Sequence, residues 1–182
     1  MGAPEQILLK VLQIGRKLNL DRLLIFWTRT YPFTNYFKGF EKVEAVKQIF
    51  GDKTEEVLRN LRVQFFPMVG YMGTSNSDGH LMINPRYLNN GDRVDVYLDI
   101  IHELVHVRQF MMGKELFDTH FDYAKRPTEI EAYRYTVEEA RRIGLSDKRI
   151  CECLKTEWMS NEDLRLLAKS LNVKCDESII HY

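Results

Sequence analysis

The stretch Asp92-Arg93-Val94-Asp95-Val96-Tyr97-Leu98-Asp99-Ile100-Ile101-His102-Glu103-Leu104-Val105-His106-Val107-Arg108-Gln109-Phe110-Met111-Met112-Gly113 decides the reading of this chain. Asp92, after Asn90-Gly91, is a residue type that accepts hydrogen bonds from the first free amides of a helix. Apolar residues then recur as far as Met112, and Gly113 closes the segment because glycine takes the left-handed conformation that ends helices. With His102 at zero on a helical wheel, Asp95, Asp99, His106, Gln109 and Gly113 fall within about 60° of it. Tyr97, Ile100, Ile101, Leu104, Val107 and Met111 take the far side. A narrow polar stripe on an otherwise apolar helix is costly to bury unless its groups bind something.

Within the stripe, His102-Glu103-Leu104-Val105-His106 reads H-E-x-x-H. Imidazoles four positions apart lie about 40° apart around a helix and one turn along it, so both reach one metal ion. Glu103 is displaced by about 100°, which suits a metal-associated water better than the metal. A catalytic zinc site takes three protein ligands, so one more is expected from outside the helix. The candidates are His120, Asp118, Asp122, Glu129 and Glu131. A metzincin extension is excluded, because Gln109 and Met112 stand where it needs glycine and histidine.

The helix expected from Thr128 to Ile143, ended by Gly144, separates the two glutamates. Glu129 lies in the middle of the face formed by Ala132, Tyr133, Thr136, Val137, Ala140 and Ile143, where a carboxylate needs a partner or a metal. Glu131 points among Arg134, Tyr135, Glu138 and Arg142, and Thr128-x-x-Glu131 reads as a capping box. Glu129 is therefore the expected third ligand, with His120 the second choice.

Outward from this centre, the chain is expected to form one domain over 1–182. It would have a helical part at 1–62, a sheet with the metal-site helices at 63–144, and C-terminal helices at 145–182. Pro4 and Asn19 bracket a first helix, and helices are expected over Glu41 to Phe50 and Thr54 to Leu61, split at Gly51-Asp52. The aromatic stretch Phe26 to Phe40 is expected to pack onto the core. Val63 to Met72 and His80 to Asn84, joined by a turn at Ser75 to Gly79, predict a β-hairpin. Helices over Asp147 to Met159 and Asn161 to Leu171 close the chain.

The 182 residues carry 26 basic and 26 acidic side chains, so no global field gathers nucleic acid or an anionic membrane. No apolar run approaches the roughly 18 residues that span a bilayer. The expected partner is a peptide or protein substrate, with no nucleic acid and no membrane. Cys151, Cys153 and Cys175 are odd in number and lack the spacing of a disulfide framework, which predicts free thiols and a cytoplasmic, reducing location.

From Ile83 to about Gly144 the sequence resembles the gluzincin branch of zinc metallopeptidases, in which H-E-x-x-H is joined by a glutamate from a following helix. Glu129-Ile130-Glu131-Ala132, 23 positions after His106, looks like the E-x-x-A element of that branch, and ImmA/IrrE-type peptidases show a similar E-x-E-A arrangement. The resemblance implies an α+β, helix-dominated, zincin-like domain with a small sheet packed on the metal helix. It implies zinc held by His102, His106 and Glu129, with Glu103 as general base toward the zinc-bound water that hydrolyses the peptide bond. It also places a peptide against an edge strand, which His80 to Asn84 would supply. One departure stands out: Tyr133 occupies the place where many gluzincins have an aspartate that orients a ligand histidine. Asp99, Asp118 or Asp122 would then take that task. His120, Tyr123, Tyr133 and Arg134 are candidate donors to a developing oxyanion. The alternative is a zinc-binding regulatory or scaffold protein that hydrolyses nothing, against which the intact Glu103 counts.

Overall fold

Short extended and helical pieces precede the central helix. This computed structural model describes residues 29–66 and 70–180. The expected first helix and the start of the aromatic stretch, Phe26 and Trp27, lie outside them. Strand β1 (Thr30–Pro32) leads into the one-turn helix α1 (Phe33–Tyr36), then α2 (Glu44–Phe50) and α3 (Thr54–Asn60). Gly51–Lys53 forms a tight turn between the last two, as the sequence predicts. The aromatic stretch packs inward: Phe33, Phe37 and Phe40 are buried, with the Phe33 ring centroid 4.9 Å from Phe37 and 5.5 Å from Phe40.

The expected hairpin is corrected in two respects. Val63 to Met72 is not one strand: β2 (Arg62–Phe65) and β3 (Met72–Thr74) are separate, and the hairpin joins β3 to β4 (Leu81–Ile83). The sheet order is β1-β2-β4-β3, with β2 parallel to β4 and the other two pairs antiparallel. Consequently β4, expected at an edge, lies inside the sheet, and β3 takes the edge. Val63, Phe65, Leu81 and Ile83 are fully buried, so the middle pair of strands anchors the sheet to the core.

After α4 (Pro85–Asn90), the central helix α5 (Arg93–Met111) begins where Asp92 accepts from the amides of Val94 and Asp95 at 2.9 and 3.2 Å. It ends at Gly113, whose φ of 72° is the left-handed conformation expected there. Helix α6 (Pro127–Arg142) packs along α5, and β3 crosses the same helix. The capping box expected at the start of α6 is absent. The residue preceding the helix is Arg126, with Pro127 in the first turn, and Thr128 Oγ1 donates instead to the Leu116 carbonyl at 3.2 Å.

The C-terminal part contains α7 (Asp147–Leu154), α8 (Asn161–Ser170) and α9 (Glu177–Ile180). Ser146 and Ser160 cap α7 and α8 through the amides of Arg149 and Asp163. The reading of three free thiols is overturned here: Cys151 and Cys175 form a disulfide, with Cα atoms 5.4 Å apart. Folding brings together two cysteines 24 positions apart, a proximity their spacing does not announce. Cys153 is unbonded and half-buried, its thiol 3.2 Å from Asp95. The molecule is thus α+β and helix-dominated, with a small mixed sheet. Among the described residues no helix is long and apolar enough to cross a membrane.

Candidate metal centre

Two helices bring the three ligands together. His102 and His106 come from successive turns of α5, Glu129 comes from the first turn of α6, and all three are buried. His102 Nε2 stands 3.0 Å from His106 Nε2 and 3.2 Å from Glu129 Oε2, while His106 Nε2 is 3.4 Å from the same oxygen. Ligands about 2.0–2.1 Å from a tetrahedral zinc ion stand about 3.3–3.4 Å from each other, so the spacing of these atoms fits such an ion. Among the described residues this is the group of histidines, cysteines and carboxylates that could hold a metal.

The electrostatics agree with the geometry. Burial opposes charge on His106, but the hydrogen bond and charge of Glu129, with the charge of Glu103, outweigh it and raise its pKa to about 9. Burial also pushes the Glu129 carboxyl up, yet hydrogen bonds from His102 and His106 more than offset this and hold it far below the usual carboxylate range. A carboxylate and two imidazoles sharing protons at this spacing form a site in which a divalent cation can replace those protons.

The surrounding contacts orient each group. Gln109, fully buried, accepts from His106 Nδ1 at 2.7 Å through Oε1. Its amide donates to the Thr128 carbonyl at 2.9 Å and to Glu131 Oε2 at 2.7 Å. That network places a proton on His106 Nδ1, so that Nε2 is the nitrogen turned toward Glu129. Arg126 lies 3.6 Å from Glu129 Oε1, so Oε2 is the oxygen turned to the histidines. The Tyr133 ring packs edge-on against His102 with centroids 4.5 Å apart, and its hydroxyl is 3.0 Å from that of Tyr123.

Glu103, beside the ligands, is held by β3. Thr74 Oγ1, buried, donates to Glu103 Oε2 at 2.8 Å. A cleft lined by Met72, Gly73 and Thr74 of the edge strand opens onto His102, Glu103, His106, Glu129 and Tyr123. Phe117 and Trp158, 47% and 54% exposed, line the same cleft.

The remaining sequence candidates separate. His120 is not at the centre: its side chain is 90% exposed and pairs with Asp118 at 2.7 Å. Asp122 pairs with Lys125 at the surface. Arg134 is exposed. Glu131 does point away from the ligands, but it binds Arg108 at 2.6 Å and Lys114 at 2.8 Å instead of capping α6. Asp99 makes no hydrogen bond to His102 and receives one from Tyr87. Sequence reasoning missed Gln109 and Arg126 as partners of the ligands, although Gln109 stands three positions after His106 on the same helix face and Arg126 three positions before Glu129. It had no signal for Thr74, which meets Glu103 only through packing of the sheet on α5. No family model, curated protein or solved structure matches this chain.

Proposed function

We propose that the protein is a zinc-dependent peptidase of the gluzincin type with a zincin-like fold. The observation that carries this reading is the buried meeting of His102 Nε2, His106 Nε2 and Glu129 Oε2 at the side of a cleft that also holds Glu103. Zinc bound there would supply Lewis acidity toward a peptide carbonyl and would lower the pKa of water.

The chain's own residues would do the rest. With Oε2 engaged by Thr74, Glu103 has Oε1 available to accept a proton from the attacking water and to return it to the leaving amine. Tyr123 lines the cleft, its hydroxyl 3.0 Å from that of Tyr133, and would offer a hydrogen bond to the developing oxyanion. The outer edge of β3 offers main-chain hydrogen bonds to an extended peptide, while Phe117 and Trp158 shield the cleft from water. A disulfide is characteristic of an oxidising environment, so the cytoplasmic location expected from free thiols is not carried into this proposal.

Elemental analysis of the purified protein should find about one zinc per chain, and the zinc-loaded protein should cleave an unfolded protein substrate. Glu103→Gln should retain the metal and lose turnover by at least about a hundredfold. Metal with no turnover in the wild type would instead favour the regulatory or scaffold protein. Absence of bound zinc would remove both readings.

A further inference from the structure

Asp99 lies three positions before His102 on α5, about 4.5 Å along the axis on the same side of the helix. It lines a second cavity that shares Met72, His102, Glu103, Tyr123 and Trp158 with the metal cleft. The two cavities therefore adjoin at these residues. Much of the wall is apolar, formed by Leu98, Val137, Ala140, Ile150 and Leu154.

Its lining holds two carboxyl groups, Asp99 and Glu103, and no lysine or arginine. Asp99 receives a single hydrogen bond, from the Tyr87 hydroxyl to Oδ2 at 2.5 Å, and no lysine or arginine among the described residues pairs with it. Arg149, on α7, is held by Asp92 and Asp95 at 3.0 and 2.7 Å. Thr156 Oγ1, in the same lining, is buried with no hydrogen-bond partner. Burial, opposed by the Tyr87 hydrogen bond and by His102, lifts the Asp99 pKa to about 6. Tyr71 and Trp158, with centroids 6.4 Å apart, present aromatic faces at the same cavity.

A wholly apolar occupant would leave the Asp99 carboxylate with the Tyr87 hydroxyl as its one hydrogen-bond donor and the Thr156 hydroxyl unsatisfied. An acidic occupant would meet Asp99 and Glu103. A long apolar stem ending in several N–H donors satisfies both acceptors, lies along the apolar wall and stacks on the aromatic faces. We propose that this cavity receives the side chain of the residue beside the scissile bond and selects a basic one, arginine before lysine. This rests on the peptidase reading and names the substrate class of that same site.

The test uses internally quenched peptides that differ at one position, carrying arginine, lysine, the neutral isostere citrulline, norleucine or glutamate, with cut sites located by mass spectrometry. The zinc-loaded wild type should cleave next to arginine with kcat/KM about tenfold or more above citrulline and norleucine. Asp99→Asn should bring the arginine-to-citrulline ratio close to one. A binding readout avoids turnover: labelled arginine peptide should bind Glu103→Gln protein at least about tenfold tighter than its citrulline twin, by fluorescence anisotropy. Citrulline or norleucine peptides cleaved and bound as well as arginine overturn the subsite while the peptidase reading survives. If no peptide of the set and no unfolded protein is cut, both fall.

Discussion

Asp99 shows how burial acts on a single side chain. Its carboxyl keeps its proton to about pH 6 because burial penalises the charged form more than the Tyr87 hydrogen bond and His102 favour it. A carboxyl raised in this way binds its proton more tightly folded than unfolded. Its contribution to stability is complete below about pH 4 and is lost as pH rises through about 6. Urea denaturation of metal-free protein should therefore show the wild type losing stability relative to Asp99→Asn between pH 4 and pH 6.5. A difference between the two that stays constant, or moves the other way, would contradict this account of the group. Glu129 is buried too, yet its shift has the opposite sign, because two imidazoles donate to it. Burial alone therefore predicts neither sign; the partners decide.

At the scale of elements, the site depends on the registration of α5 against α6. Gln109 is the link: it touches His106 on its own helix and the Thr128 carbonyl immediately before Glu129 on the other. Replacing it with methionine of similar size removes the acceptor that fixes the His106 proton and the donor that ties the helices. Gln109→Met should weaken zinc affinity about 10–100-fold in competition with a chelator, while circular dichroism retains the helical content. Unchanged affinity would mean that apolar packing between the helices suffices. Element boundaries were legible from the chain where Asp92, Gly113, Ser146 and Ser160 mark helix ends by local chemistry, whereas α7 stops at Leu154, short of the expected Met159. The capping box failed because Pro127 starts the helix one residue earlier than Thr128 and leaves Thr128 and Glu131 inside it, free to find distant partners.

For the whole molecule, metal and fold are linked. A ligand that binds only the folded state adds about 4 kcal/mol at a free concentration a thousandfold above its dissociation constant, which for a domain of this size raises Tm on the order of 10 °C. Zinc added to chelator-treated wild type should produce such a rise, measured by calorimetry. Glu129→Ala should abolish most of it. Glu131→Ala should unfold earlier from the outset, having lost Arg108 and Lys114 as partners, but should keep the zinc-dependent rise. An equal zinc response from Glu129→Ala and the wild type would exclude Glu129 as a ligand.

The sequence by itself determined the central helix, the placement of His102, Glu103 and His106 along it, and the inward face that carries Glu129. Each follows from periodicity within a single segment, where 3.6 residues per turn converts spacing into direction. Only the tertiary structure decided that β3 rather than β4 forms the sheet edge, that Thr74 grips Glu103 across 29 positions, and that Cys151 meets Cys175. Such facts depend on which segments pack together, and that is fixed by burial of the core as a whole, which no local pattern encodes.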